Sequence, residues 1–235
     1  LTAGGAAVAF TTTRVGQNAR YSFAGTAGQN LNLLFSGDTF PNSTSVYVYQ
    51  PDGNYLTATS LYYDGTTVSS PTKLSLTNLP VTGTYTVFIT PTGSATGTLS
   101  TKLIADATGA LTTTATGTPK AVALTAGQNG WFTFAGSVGQ GFGLGVTGLS
   151  TTPSAQNIPV TIYQPDGTYL TGCNFSAASD SCDLPVLPVA GTYTVFVDPG
   201  INAASFNLLL SPDTTGNLTA GGAAVAFTTT RVGQN

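Results

Sequence analysis

Short stretches in which apolar and polar residues alternate recur along the whole chain. A period of two is typical of a β-strand with one face buried and the other exposed to solvent. In the first half of the sequence these stretches are residues 7–10, 20–23, 31–35, 46–49, 73–76, 84–89 and 98–104. Gly and Pro separate the stretches, and β-branched residues are abundant within them. The pattern therefore predicts an all-β fold of short antiparallel strands packed as a β-sandwich.

The second half of the chain repeats three landmarks of the first half in the same order. GQNARYSFAG corresponds to GQNGWFTFAG, VYVYQPDGNYL to VTIYQPDGTYL, and GTYTVFITP to GTYTVFVDP. The paired segments are 16–25 with 127–136, 46–56 with 160–170, and 83–91 with 191–199. Such internal similarity indicates a duplicated domain. We predict one β-sandwich module over 1–109 and a second over 110–217.

A longer repetition joins the two ends of the sequence. Residues 1–18, LTAGGAAVAFTTTRVGQN, return without a change as residues 218–235, at an offset of 218 − 1 = 217 residues. We interpret 1–217 as one unit of a repeat array and 218–235 as the first segment of the next unit. Other copies of the same repeat are therefore the expected partners.

The duplicated segment is predicted to connect successive units, either by covalent continuity or by strand donation. Residues 6–13 contain no Lys or Pro, the residues that usually protect an edge strand from pairing with another chain. A donated strand binds through main-chain hydrogen bonds and apolar side chains. The residues assigned to this inter-unit strand are Ala7, Val8, Ala9 and Phe10 and, in the second copy, Ala224, Val225, Ala226 and Phe227.

The order of motifs in each module resembles the pre-peptidase C-terminal (PPC) domain family. Each module has an aromatic-x-Phe-x-Gly stretch, then (V/I)YQPDG at 48–53 or 162–167, then LPxxGTYTV at 79–87 or 187–195. The resemblance implies a jelly-roll-like or immunoglobulin-like sandwich, secretion, and a binding or spacer role. Some relatives bind calcium through clustered acids, and this sequence has no such cluster. No cofactor is expected, and calcium at isolated Asp residues is the alternative.

Charged side chains are scarce, which narrows the chemistry. They make up 6% of the residues, the formal net charge is −3, and neither His nor Glu occurs. General acid–base catalysis and activation of a nucleophile lack their usual residues, so we do not expect an enzyme. Without a basic stripe, nucleic acid is not an expected partner. No apolar run is long enough for a membrane-spanning helix, so membrane insertion is not expected either.

The two cysteines, Cys173 and Cys182, are predicted to form a disulfide that closes a surface loop. They lie nine residues apart in a chain rich in Thr and Ser. Disulfides persist in oxidising compartments, so this pairing predicts an extracellular or cell-surface protein. Two free thiols are the alternative. A zinc site is not expected, because two Cys without His cannot supply four ligands.

Aromatic residues supply the predicted core and a candidate binding surface. The expected core aromatics are Tyr21, Phe23, Tyr85, Phe88, Phe132, Phe134, Tyr193 and Phe196. Trp131 aligns with Arg20, and the alternation that buries its neighbours points Trp131 outward. Trp131 and Arg20, together with the loop residues Tyr62 and Tyr63, are therefore candidates for an interface or a glycan platform.

These patterns predict a structural repeat unit of an extracellular bacterial fibre or of a giant, adhesin-like surface protein. The weak charge, the duplicated modules and the duplicated segment all favour a mechanical role. The alternative function is a carbohydrate-binding accessory module of a secreted enzyme, with surface glycans as partners and the exposed aromatics as the platform.

Overall fold

The computed structural model describes residues 1–62, 71–113, 118–154, 156–230 and 232–234. Within these ranges the chain forms seventeen β-strands and no helix. The strands divide into two compact units, Leu1–Asp106 and Ala107–Asn235. Each unit contains its own hydrophobic core.

The first unit is a sandwich of two four-stranded sheets. Its strands are β1 (Val8–Thr11), β2 (Ala19–Gly25), β3 (Leu31–Ser36), β4 (Thr44–Tyr49), β5 (Tyr55–Leu61), β6 (Thr72–Leu76), β7 (Gly83–Pro91) and β8 (Thr98–Ala105). One sheet has the order β1-β8-β3-β6 and the other β2-β7-β4-β5. All neighbouring strands in this unit are antiparallel.

The second unit repeats this arrangement and adds one strand. Its strands are β9 (Ala107–Ala110), β10 (Lys120–Leu124), β11 (Gly130–Gly136), β12 (Phe142–Thr152), β13 (Ile158–Tyr163), β14 (Tyr169–Phe175), β15 (Ser179–Asp183), β16 (Gly191–Val197) and β17 (Ala203–Pro212). The sheets have the orders β10-β17-β12-β15 and β14-β13-β16-β11-β9. The extra strand, β9, pairs with β11 in parallel.

In both units the core lies between the two sheets and follows the period-two pattern. In β7 the side chains of Tyr85, Val87 and Ile89 are fully buried, whereas the residues between them are only partly buried. Phe23 stacks on Tyr85 with ring centroids 5.2 Å apart. The Tyr85 hydroxyl donates to the Val81 carbonyl at 2.6 Å, which satisfies the polar end of this buried ring.

The structure corrects two expectations about the core aromatics. Phe88 and Phe196 lie on the outer faces of β7 and β16 and are only partly buried. Side chains alternate between the two faces of a strand, and each phenylalanine falls on the face opposite to the buried tyrosine of its strand. Tyr21 is also partly buried and packs at the margin of the first core. The other five predicted aromatics are buried: Phe23, Tyr85, Phe132, Phe134 and Tyr193.

Three strands were not predicted by the alternation: β5, its equivalent β14 in the second unit, and β9. β5 follows the Gln-Pro-Asp-Gly turn, and its apolar and polar residues do not alternate regularly, so its pattern is weak. β9 is four residues long and has no large apolar side chain. Because β9 pairs with β11, Ala107 to Gly109 belong to the second unit, although the sequence pattern placed them at the end of the first module.

Candidate functional site

The first copy of the duplicated segment forms the edge strand β1. It pairs with β8 in antiparallel register, with Val8 opposite Thr101 and Phe10 opposite Leu99. Phe10 is 7% exposed, and its ring centroid lies 6.0 Å from that of Phe40. Val8 and the two alanines, Ala7 and Ala9, are exposed. This copy therefore contributes one apolar anchor and a row of main-chain hydrogen bonds to the first unit.

Polar contacts hold the start and the middle of the first copy. The Gly97 amide donates to Thr12 Oγ1 at 2.8 Å. The Tyr21 hydroxyl, which belongs to the opposite sheet, donates to the Ala9 carbonyl at 3.2 Å. Partial burial raises the pKa of Tyr21 above its ordinary value, which further favours the protonated hydroxyl that donates this bond. At the start of the chain, the Leu1 nitrogen lies 2.5 Å from the Ser22 carbonyl oxygen, to which it donates.

In its described residues, the second copy has the same local turns but no strand. In the first copy the Gly5 amide donates to the Thr2 carbonyl at 2.9 Å, and in the second copy Gly222 donates to Thr219 at the same distance. The four residues assigned to the inter-unit strand, Ala224, Val225, Ala226 and Phe227, lie outside any β-strand and are exposed. Val225 is 57% and Phe227 59% exposed.

The end of the second copy contacts the outer face of β12. Gly143 and Gly145 alternate along this strand with the core residues Leu144 and Val146. A Cβ atom on either glycine would overlap the backbone of Val232 or Gly233. The absence of side chains at 143 and 145 therefore permits close approach of the segment.

Cys173 and Cys182 form a disulfide bond. Cys173 lies on β14 and Cys182 on β15, which are edge strands of the two different sheets of the second unit. Cys182 is buried in the core. The bond therefore ties the two sheets together at one margin, whereas the sequence suggested that it closes a surface loop.

Two of the candidate platform residues, Trp131 in the second unit and Arg20 in the first, each lie beside aromatic rings. On the outer face of the second unit, the Trp131 ring centroid is 4.3 Å from that of Phe196 and 6.5 Å from that of Tyr163. Trp131 is partly buried by these contacts. We call Trp131, Tyr163 and Phe196 the tryptophan patch.

The corresponding face of the first unit has Arg20 in place of tryptophan. Its guanidinium carbon lies 4.1 Å from the centroid of Phe88, a cation–π contact. Arg20, Tyr49 and Phe88 line a shallow depression of about 340 Å³. Tyr62 is 66% exposed, and Tyr63 lies outside the described residues.

Two carboxyl groups have raised pKa values. Burial raises the pKa of Asp38, and a hydrogen bond from the Phe40 amide partly opposes that shift. The pKa of Asp213 is raised first by burial and second by the nearby charge of Asp183. In the described part of the chain, no group of three or more His, Cys, Asp or Glu side chains could hold a metal ion. Nor do the described ranges contain a helix suited to crossing a membrane.

The alternation of apolar and polar residues did not predict β9, the strand that begins the second unit. A short recurring motif in the sequence could have indicated it. DATGALT at 106–112 and DTTGNLT at 213–219 share Asp, Thr, Gly, Leu and Thr at equivalent positions. Each motif begins directly after the last long strand of a unit, β8 or β17.

Comparison with known proteins leaves the family open. No family model matches the chain, and no curated protein sequence matches it. Among solved structures, it is similar to dimeric latent PorU from Porphyromonas gingivalis, with 10% sequence identity over 85% of this chain and a TM-score of 0.22. The chain spans 18% of that PorU chain. It is also similar to a structure of infectious bursal disease virus Gt strain, with 11% identity, coverage of 86% of this chain and 73% of that chain, and a TM-score of 0.16.

Proposed function

We propose that this chain is a structural repeat unit of an extracellular fibre or of a giant, adhesin-like surface protein. Successive units are joined through the duplicated segment. The segment that begins one unit completes the first sandwich of that unit, and the identical segment at 218–235 completes the first sandwich of the next. The PPC-like motifs and the jelly-roll-like or immunoglobulin-like interpretation of each module are compatible with such an array.

One observation carries this proposal. The same apolar anchor is buried at position 10, where β8 supplies a partner, and 59% exposed at position 227. Burial of Val225 and Phe227 against another unit would be favourable, because it removes apolar surface from water. A second groove of the same shape, next to the β8 strand of another unit, would accept Phe227 as the first groove accepts Phe10.

The disulfide supports an extracellular location, because such bonds are rarely stable in the cytosol. The scarcity of charge is compatible with this setting. Thr and Ser on the outward faces of the strands supply hydrogen-bonding groups to solvent in place of charged side chains.

The proposed connection between units, which we call the joint, can be tested with a chain that lacks β1. In such a chain, only the second copy can pair with the free edge of β8. A chain from which residues 1–13 are deleted, 14–235, retains the second copy but lacks β1. We expect it to form dimers or longer species, because residues 225–228 of one chain pair with β8 of another. The matched chain 14–217 lacks both β1 and the whole second copy, and it should not assemble through this groove. Light scattering and electron microscopy measure the size of each species.

Amide hydrogen exchange of residues 225–228 completes the test. Protection of these amides in 14–235 is expected, since main-chain pairing slows exchange. A chain that stays monomeric, with 225–228 exchanging as freely as in the full-length protein, would sink the proposal. The result does not depend on whether the natural units are covalently continuous, because the groove and the segment are the same in either case.

The tryptophan patch favours a second candidate function, carbohydrate binding. Planar aromatic surfaces stack on the apolar faces of sugar rings, and Trp131 and Tyr163 are stacked with an interplanar angle of 18°. A glycan array with the full chain and with Trp131→Ala tests this function. Binding that disappears in the variant would favour a carbohydrate-binding module. If the unaltered chain binds no glycan, this candidate is eliminated.

A further inference from the structure

The first strand of the second unit, β9, has no equivalent among the described strands of the first unit. β9 pairs in parallel with β11, with Ala107 opposite Gly130 and Ala110 opposite Thr133. Just beyond β9, the Leu111 amide donates to the Thr133 carbonyl at 2.8 Å. In the first unit the strand equivalent to β11 is β2, and β2 is the edge of its sheet. No described strand pairs with the side of β2 that faces away from β7.

Leu1 marks where such a strand would end. Its nitrogen donates to the Ser22 carbonyl, and Ser22 is equivalent to Thr133 because both lie opposite a threonine of the neighbouring strand, Thr86 and Thr194. Leu1 in the first unit thus makes the contact that Leu111 makes in the second. Both side chains pack against the core of their own unit. The residues immediately before a leucine in this position lie along the edge strand.

The sequence before the second copy matches β9. Residues 213–219 repeat the motif of 106–112, so Leu218 corresponds to Leu111 and 214–217 correspond to Ala107–Ala110. The chain leaves both units in the same way, since the Asp106 amide donates to the Asn30 carbonyl at 3.2 Å and the Asp213 amide donates to the Gly141 carbonyl at 3.1 Å. Beyond Asp213, residues 214–217 are exposed and outside any strand.

We propose that residues 214–217 of one copy add to the open edge of β2 of another copy as a parallel fifth strand. This inference rests on the proposed function and extends it. The joint then consists of two strands from the same segment. Residues 214–217 extend the sheet that contains β2, and residues 225–228 occupy the place of β1 beside β8, so the segment is paired to both sheets of the acceptor unit.

The register follows from the second unit. Thr214 lies opposite Ala19, and Asn217 lies opposite Ser22, as Ala107 and Ala110 lie opposite Gly130 and Thr133. In a parallel pair the amides of alternate residues face the partner strand. The Ala107 and Leu111 amides donate across this pair to Asn129 and Thr133. The amides of Thr214, Gly216 and Leu218 therefore face β2, whereas that of Thr215 faces solvent.

This alternation provides a matched pair of proline variants in the chain 14–235. Gly216→Pro removes an amide that faces β2, and Thr215→Pro removes one that faces solvent, where edge strands tolerate proline. Neither residue belongs to a strand of its own unit. We expect Gly216→Pro to weaken assembly about tenfold or more, the effect of about 1.4 kcal/mol from a lost main-chain hydrogen bond and local strain. Thr215→Pro should assemble nearly as well as the unaltered 14–235 chain.

Hydrogen exchange of β2 gives a direct readout. The Arg20 and Ser22 amides face the open edge, because the Ser22 carbonyl does and the groups of one residue point to the same side. Assembly of 14–235 should slow exchange of both amides. Gly216→Pro should abolish that protection and Thr215→Pro should keep it.

The outcomes separate the two proposals. If 14–235 assembles through 225–228 while Arg20 and Ser22 exchange as they do in 14–217, the second strand is refuted and the joint stands. If the two proline variants assemble equally well, the second strand is refuted in the same way. If 14–235 does not assemble at all, the proposed joint fails, and the parallel strand fails with it.

Discussion

Residues 1–18 and 218–235 are identical in sequence, and among the residues that the structure describes they share two turns but only the first copy forms a strand. Both copies have the same turn at their beginning, where Gly4 and Gly221 have φ values of 74° and 75°. Both also have the same turn near their end, where Gln17 and Gln234 accept hydrogen bonds from Thr13 and Thr230 at 2.9 and 2.8 Å. Between these turns, the first copy is strand β1 and the second is not in a strand.

This difference shows that the turns depend on residues within the segment, whereas the strand depends on a neighbouring strand. The turns are encoded by residues within the segment, because Gly, Thr and Gln make their contacts over three or four residues. A strand, however, exposes a row of amides and carbonyls that only another strand can satisfy. In the first copy, β8 supplies those partners and the core supplies a place for Phe10. The second copy has every local feature of the first and lacks only the neighbour.

The largest expected effect comes from substituting the same phenylalanine in each copy. Phe10→Ala removes a ring that is 7% exposed and packs on Phe40, so the free energy of unfolding of the first unit should fall by about 3 kcal/mol. Phe227→Ala, at a side chain that is 59% exposed, should change stability by less than about 0.5 kcal/mol. Denaturant unfolding of both full-length variants measures the difference.

Equal losses of stability in the two variants would contradict the exposed position of Phe227. They would mean that Phe227 is buried in solution, by its own chain or by another copy. Repeating the measurement over a range of protein concentrations distinguishes these cases, because only burial against another copy depends on concentration.

The period-two pattern predicted most strands of each sandwich because those strands have one buried and one exposed face. Its failures have a physical explanation. Phe88 and Phe196 were assigned to the core by residue type, yet they lie out of phase with Tyr85 and Tyr193, and in a strand the phase decides the face. β9 has no large apolar residue, and only its pairing with β11 identifies it.

The candidate site was only partly predictable for a related reason. The identity of the two copies indicates that they do the same thing, but a linear sequence does not show which strand edge stays open. The open edge of β2 and the contact of Leu1 with Ser22 depend on strand order. The margin joined by Cys173 and Cys182 depends on it too, since their strands are neighbours in sequence and belong to opposite sheets.

A smaller loss of stability is expected from glycine substitutions in the turns. It tests whether the turn contributes equally to stability in both copies. Gly16 and Gly233 both have φ of 75°, a conformation that costs an L-amino acid about 1 kcal/mol. A Cβ on Gly16 would meet no other atom within 4 Å, so Gly16→Ala should destabilise the first unit by that conformational cost alone. Gly233→Ala should leave the unfolding of the second unit unchanged and displace the segment from Gly145, 2.7 Å from the added carbon. Denaturant unfolding measures the first effect and exchange of the Gly145 amide the second. A loss of stability from Gly233→Ala would contradict the expectation that only the first copy contributes to the stability of its unit.

The smallest expected effect on stability is at the aspartate that follows the last strand of each unit, Asp106 after β8 and Asp213 after β17. Asp106 accepts a hydrogen bond from the Asn32 side chain. At the end of the second unit the equivalent of Asn32 is Gly143, since Asn32 pairs with Ile104 and Gly143 with Ser211, each two residues before the aspartate. Asp213 therefore lacks an amide donor from that position, and its Oδ1 atom has no hydrogen-bond partner among the described residues.

Asp213→Asn should consequently stabilise the second unit at pH 7. Burial and the charge of Asp183 raise the pKa of Asp213 in the folded protein, so the folded state binds its proton more tightly than the unfolded state. The contribution of this residue to stability is greatest at low pH and is lost as the pH rises through the folded-state pKa. The Asn variant should gain less than about 1 kcal/mol at pH 7, and its advantage should disappear as the pH falls towards about 4. Thermal unfolding across this pH range measures the gap, and an advantage that grows as the pH falls would contradict the assignment. The first unit of the same chain serves as the control, because its thermal unfolding should not change in the Asp213→Asn variant.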